Sequence, residues 1–230
     1  MSRTETVANV EARIRELGEL REVYVSPAAM LFEINASYAE LHDKLAAANN
    51  DLFESIRLYD VVSGTDEYLL PLDFYKCTGV DTKRNDGTWC TLESYERPER
   101  NFDNTYKSLS REWSRYRCRG NKLILVPAPT WSQTEGMKLL YIPSAKRMTV
   151  TTDTLDGING WEDWIVYDCL IKFIGGKEDG DARVWQASLE RLNARIVTMA
   201  KSRDRAEPGR IRDVEEEAAE RIWPRHGAPP

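Results

Sequence analysis

Trp161-Glu162-Asp163-Trp164-Ile165-Val166-Tyr167-Asp168-Cys169-Leu170-Ile171-Lys172-Phe173-Ile174 is the stretch on which the fold turns. Ten of these positions carry Trp, Ile, Val, Tyr, Cys, Leu or Phe. A helix apolar on nearly all sides must be covered on nearly all sides. The run is shorter than the about 20 residues that span a bilayer, so it reads as the central helix of a folded domain. Asn159 or Gly160 suits its start, Glu162 and Asp163 suit the positive end of its dipole, and Gly175-Gly176 supplies a left-handed stop. A second helix is expected over 177–203, where Trp185, Leu189, Leu192, Ile196 and Met199 recur at spacings of four and three. The two helices would form an antiparallel hairpin. Its expected core is Trp161, Trp164, Ile165, Phe173, Leu189, Leu192 and Ile196.

Working outward, a helix is expected over 3–20. Ser2 to Glu5 fits a capping box, and Val7, Val10, Ile14 and Leu17 share a face. Ser26-Pro27 opens a longer helix, expected over 27–60, with a stripe of Leu41, Leu45, Ala48, Leu52 and Ile56. Ser63 to Asp66 breaks it. A β-rich insertion is expected at about 67–145. Its signals are the turn residues Asn85-Asp86-Gly87 before Thr88–Leu92, a hairpin over Tyr116–Val126 turning at Gly120-Asn121, and a strand over Lys138–Ile142 stopped by Pro143. The expected class is therefore α+β: a helical bundle core, a small antiparallel β region inserted mid-chain and an extended C-terminal arm. One domain would cover 1–204 and the arm 205–230. From Lys201 onward seven basic residues face seven acidic ones. The apolar anchors Ile211, Val214, Ile222 and Trp223 are too sparse for a private core, and such tails often order only on a partner.

The composition is that of a globular protein, and the net charge of -6 argues against bulk binding to nucleic acid. The four cysteines, Cys77, Cys90, Cys118 and Cys169, form no CxxC, and the two histidines, His42 and His226, give no zinc spacing. Reduced thiols in a protein made in the cytoplasm are expected. The N-terminus has no apolar signal core, and no membrane-spanning run occurs. Phosphate loops and the GxGxxG, GxSxG and HExxH motifs are absent. Counted from Asp153, an EF-hand loop fails at Leu155, Gly157 and Trp164. His42, beside Asp43, reads as a surface residue. No catalytic residue, metal site or cofactor is expected, and the chain does not read as an enzyme.

One local feature carries interaction chemistry. Eight basic residues lie between Arg97 and Lys122, among them Arg97, Arg100, Arg115, Arg117 and Arg119, with Tyr95, Phe102, Tyr106, Trp113 and Tyr116 interleaved. Residues 95–122 could thus stack bases and neutralise phosphates as a nucleic-acid-binding module. They suit a protein interface equally well. Four acids dilute the stretch, and a solvated strand face with paired charges explains it as simply.

The order of several short motifs carries a resemblance. Leu70-Pro71-Leu72-Asp73-Phe74-Tyr75-Lys76 is followed by Tyr116-Arg117, Gly120-Asn121-Lys122-Leu123 and Leu140-Tyr141-Ile142-Pro143. Then come Asp156-Gly157, Trp161–Tyr167, Lys177-Glu178-Asp179 and Arg203-Asp204. Over roughly 65–215 the chain resembles the head-to-tail adaptor (connector) proteins of tailed bacteriophages. The resemblance implies a virion structural protein of the neck, made in the host cytoplasm. It implies a homo-oligomeric ring, a dodecamer, bridging the portal protein and a tail or nozzle protein. Genome DNA would pass through the channel without specific binding, and no membrane is involved. By the same resemblance the portal-docking arm is Arg210, Ile211, Val214, Ile222 and Trp223. Subunit or tail contacts fall on Arg97, Arg100, Trp113, Arg115, Arg117 and Arg119.

Overall fold

The computed structural model describes residues 3–21, 24–84, 86–95, 115–157, 160–175 and 182–201. Four α-helices and ten strands are formed among them. The helices are α1 (Val7–Gly18), α2 (Pro27–Ala48), α3 (Asp163–Gly175) and α4 (Arg183–Lys201). The strands β1 to β5 are Arg3–Thr6, Ser55–Val61, Glu67–Leu69, Phe74–Lys83 and Trp89–Thr91. The strands β6 to β10 are Glu93–Ser94, Arg115–Arg119, Lys122–Val126, Gln133–Pro143 and Thr154–Gly157.

Two separate cores organise these elements. In the first, α3 packs against α1, α2 and α4. Trp164, Ile165, Val166, Cys169 and Leu170 of α3 are buried against Val10 and Ile14 of α1, Met30, Ile34 and Leu41 of α2, and Leu192, Ile196 and Ala200 of α4. Trp161 is buried in the same core, with Phe173 and Leu189 half-buried at its margin. Gly18 lets α1 approach α3 closely, because a Cβ there would lie 2.8 Å from Leu170 Cδ2. An ion pair of 2.6 Å between Arg13 and Asp163 joins α1 to the first turn of α3. The pairing of β1 with β10 brings the N-terminus alongside Leu155.

The second core lies between two four-stranded sheets, ordered β2-β9-β4-β5 and β3-β8-β7-β6. Val61, Val80, Met137, Leu139 and Tyr141 come from the first sheet, and Tyr68, Leu123 and Leu125 from the second. These are alternate positions on long strands, so each sheet turns one face inward. The expectation of a helical bundle core with a small inserted sheet is thus wrong: the protein is a sheet-rich α+β structure. The sequence hid this because β4 and β9, of 10 and 11 residues, carry register shifts at Phe74/Lys76 and Cys77/Gly79 that break strict alternation.

Element boundaries moved for local reasons. The helix expected over 27–60 ends at Ala48. A short 3-10 turn over Asn50–Phe53 follows, and Ser55–Val61 joins the sheet beside β9. Ile56 accordingly lies on a strand and is 59% exposed, not in a helical stripe. The helix expected from residue 3 starts at Val7, because Arg3–Thr6 pairs with β10. Thr6 is the cap, accepting from Asn9 N–H at 3.3 Å, and Ser2 of the expected Ser2–Glu5 box lies outside the described residues. The last helix begins at Arg183, and residues 176–181 lie outside the described residues. The hairpin at Gly120-Asn121 is formed by β7 and β8, with Gly120 in the left-handed region at φ 59.

Candidate interaction surfaces

Strand β7 holds Arg115, Arg117 and Arg119 at alternate positions opposite Val126, Ile124 and Lys122 of β8. Their neighbours Tyr116 and Cys118 point the other way, toward Leu125 and Leu123 in the second core. The three guanidiniums therefore share the outer face of this sheet, and the sheet itself engages two of them. Arg115 pairs with Glu93 at 3.5 Å. Arg117 lies over the Tyr95 ring at 5.9 Å. Lys122 on the same face pairs with Glu67. The face is a network of cross-strand contacts and not an open row of cations. Arg97, Arg100 and Trp113, and the arm residues Arg210, Ile211, Val214, Ile222 and Trp223, lie outside the described residues.

Two apolar surfaces have no counterpart in the sequence reading. The first is a groove between α2 and the segment 145–149, enclosing about 780 Å³. Ala28, Leu31, Phe32, Ala36 and Ala39 form its helix wall, and Lys146 and Arg147 stand at its rim. Asn35 holds the opposite wall in place, donating to Met148 C=O at 3.0 Å and accepting from Met148 N–H at 2.8 Å. Phe32 is 65% exposed, a costly position for a ring in water. The second surface is the outer face of the first sheet, where Ile56 and Leu58 of β2 and Trp89 of β5 are exposed. Lys138 lies 4.8 Å from the Trp89 ring and pairs with Asp81 at 2.9 Å. Helical periodicity at 28, 32, 36 and 39 and alternation at 56 and 58 were the available signals.

The polar cluster at the α2–α3 contact is the nearest approach to catalytic chemistry. Ser37 Oγ donates to Asp168 Oδ2 at 2.6 Å, and Lys172 Nζ donates to Ser37 Oγ at 3.2 Å. Lys172 also pairs with Asp168 at 2.7 Å and Glu40 at 3.3 Å. Burial alone would lower the Lys172 pKa, but the Asp168 and Glu40 carboxylates outweigh it and hold the amine above its ordinary value. A protonated amine cannot take the serine proton, and Ser37 is fully buried. The cluster therefore acts as a polar clamp between two helices.

His42 is buried, contrary to the surface position expected for it. Its ring stacks on Phe53 at 4.4 Å, and burial lowers its pKa despite the nearby Asp43. Asp153 caps a turn, accepting from the N–H groups of Thr149 at 2.7 Å and Val150 at 3.2 Å, which lower its pKa. Among the described residues, no group of three or more His, Cys, Asp or Glu could hold a metal ion. No described helix is long and apolar enough to cross a membrane.

Comparison with known families adds one match. The family described as SU10 adaptor protein matches residues 6–212, a span that takes in both cores. No curated protein matches the chain.

Proposed function

From the premise that this chain belongs to the SU10 adaptor protein family, a phage head-to-tail adaptor family, we propose that it is a ring component bridging portal and tail. The observation that carries the reading is that the family match spans two separately cored bodies in one chain. A bridging subunit needs two bodies that can be engaged independently, one toward the head and one toward the tail. Beyond α4, which ends at Lys201, the sequence holds Arg210, Ile211, Val214, Ile222 and Trp223. In this reading that segment is the portal-docking arm, and its four apolar residues are buried only on the portal. The sandwich supplies subunit or tail contacts through the β7 face with Arg115, Arg117 and Arg119, extended by Arg97, Arg100 and Trp113. The ring is homo-oligomeric, and DNA passes through it without sequence readout, as the net charge of -6 suits. The protein acts in the virion neck as a structural component and not as an enzyme.

The test is assembly. Purified chain is mixed with rings of the portal protein from the same genome and viewed by negative-stain microscopy. The reading expects a second closed ring on one face of the portal. Single copies scattered on the portal, or none bound, refute the ring.

The nucleic-acid reading of residues 95–122 loses support from the β7 face. Arg115 is already paired with Glu93, so binding a phosphate there would first displace that carboxylate.

A further inference from the structure

We propose that the turn at 70–75 of one copy seats Leu72 in the α2 groove of the next copy, so that every subunit gives one apolar knob and receives another. This rests on the ring reading above and names the surfaces that join its subunits. The turn is the motif Leu70-Pro71-Leu72-Asp73-Phe74-Tyr75 at the junction of β3 and β4, which no role above has used. It is braced by backbone hydrogen bonds. Leu70 N–H donates to Asn121 C=O at 2.9 Å, Phe74 N–H to Pro71 C=O at 3.1 Å and Ser144 N–H to Asp73 C=O at 2.6 Å. Leu72 is nonetheless fully exposed, and Leu69 beside the turn is mostly exposed. A single surface leucine is ordinary, whereas two on one braced turn form a patch that a partner can cover.

The groove supplies the matching hole. Leu31, Phe32 and Ala36 line its helix wall, and Phe32 stays mostly exposed in a single copy. None of the residues that line the groove is acidic, and Lys146 and Arg147 at its rim are exposed. The Asp153 carboxylate near Lys146 is already held by the N–H groups of Thr149 and Val150. Asp73 follows the knob directly and is exposed, so seating Leu72 brings a carboxylate to this basic rim.

A single chain leaves both features unfilled. Because Leu72 is fully exposed, it does not occupy the groove of its own chain. Knob and hole also belong to different bodies, since Leu70 and Phe74 anchor the turn in the sandwich core and Met30 and Ile34 anchor α2 in the helical core. A knob on one surface and a hole on another make a heterologous contact, which repeats from copy to copy and closes into a ring when the rotation allows. One turn buries far less than the about 1,000 Å² of a self-sufficient interface, so the contact acts where other contacts gather the copies, as on a portal ring.

The test mixes two variants of the full chain, Leu72→Cys and Phe32→Cys, under mild oxidation. The mixture is treated alone at high concentration and on portal rings from the same genome. Peptide mapping should find a bond between residues 72 and 32 of different chains, in excess over a control mixture of Leu72→Cys with Leu17→Cys, a change at an exposed site on α1. A chain carrying both Leu72→Cys and Phe32→Cys should give a ladder of trimers and larger species. Leu72→Glu should keep the melting temperature and prevent ring closure, and Arg147→Glu, which sets a carboxylate against Asp73, should do the same. The 72–32 bond without rings leaves the contact standing and removes the ring. Closed rings without an excess of that bond overturn the contact and leave the ring, and the absence of both removes both. Bonds that stop at dimers or form within one chain, a bond from Leu72→Cys to the portal, or rings unaffected by Leu72→Glu also overturn the proposal.

Discussion

Replacing Trp164 tests the helical core at its most enclosed point. The side chain is 1% exposed on α3, and its Nε1–H donates to Asn193 Oδ1 of α4 at 2.7 Å. Lys44 of α2 lies 5.4 Å from the ring centroid, so one residue ties three helices. Trp164→Ala removes the ring and leaves a cavity that α1, α2 and α4 can only partly close. The expected loss is about 3–5 kcal/mol. Trp164→Phe keeps most of the volume but leaves the Asn193 oxygen without its donor, for an expected loss of about 1–2 kcal/mol. Urea unfolding followed by circular dichroism at 222 nm reads both values. For a chain of this size the Ala variant should melt about 6–20 °C lower. Equal losses in the two variants, or less than about 1 kcal/mol for Ala, would refute the claim that α3 is the enclosed centre of this body.

Three further outcomes follow from the same geometry. Burial lowers the His42 pKa below 6.5, so the unfolded chain takes up that proton more readily. Stability is then full above about pH 6.5 and declines as pH falls through 6.5 toward the folded value, and His42→Leu should flatten that slope in melts from pH 7.5 to 5. Lys172→Met leaves Asp168 beside Glu33 and Glu40 without its cation, a loss of about 1–3 kcal/mol because Lys172 is partly exposed. Asp168→Asn in the same background should recover part of that loss, and equal losses with and without Asp168→Asn would show that the ion pair is not its source. The chain should give no gel shift with DNA at low salt, whereas a shift with a steep log-salt slope, lost on replacing Arg115, Arg117 and Arg119 by Ala, would establish the nucleic-acid reading.

The sequence was most legible where packing is local. The all-round apolar character of Trp161–Ile174 pointed to an enclosed helix, and Gly120-Asn121 marked the β7–β8 turn. It was least legible where pairing is distant. Ile56 and Leu52 fit a helical stripe with Leu45, yet β9 recruits Ser55–Val61 from about 80 residues away, a partnership no local pattern encodes. Arg3–Thr6 was drawn from its helix in the same way by β10, about 150 residues on. Bulges beside Cys77 and Phe74 hid the longest strand pair. Of the surfaces, the alternation of Arg115, Arg117 and Arg119 was visible, but their engagement by Glu93 and Tyr95 depends on a parallel pairing of β6 with β7 that spacing does not reveal. The groove beside Phe32 has no local sequence signature, because its far wall, 145–149, is remote in sequence.

We propose that this chain joins the portal through its C-terminal arm. The direct measurement is a pull-down with the portal protein from the same genome, comparing the full chain with a version ending at Asp204. If the chain joins the portal in this way, the truncated version keeps its melting temperature and loses the portal. Equal binding by both versions would contradict it and move the portal contact onto the folded bodies.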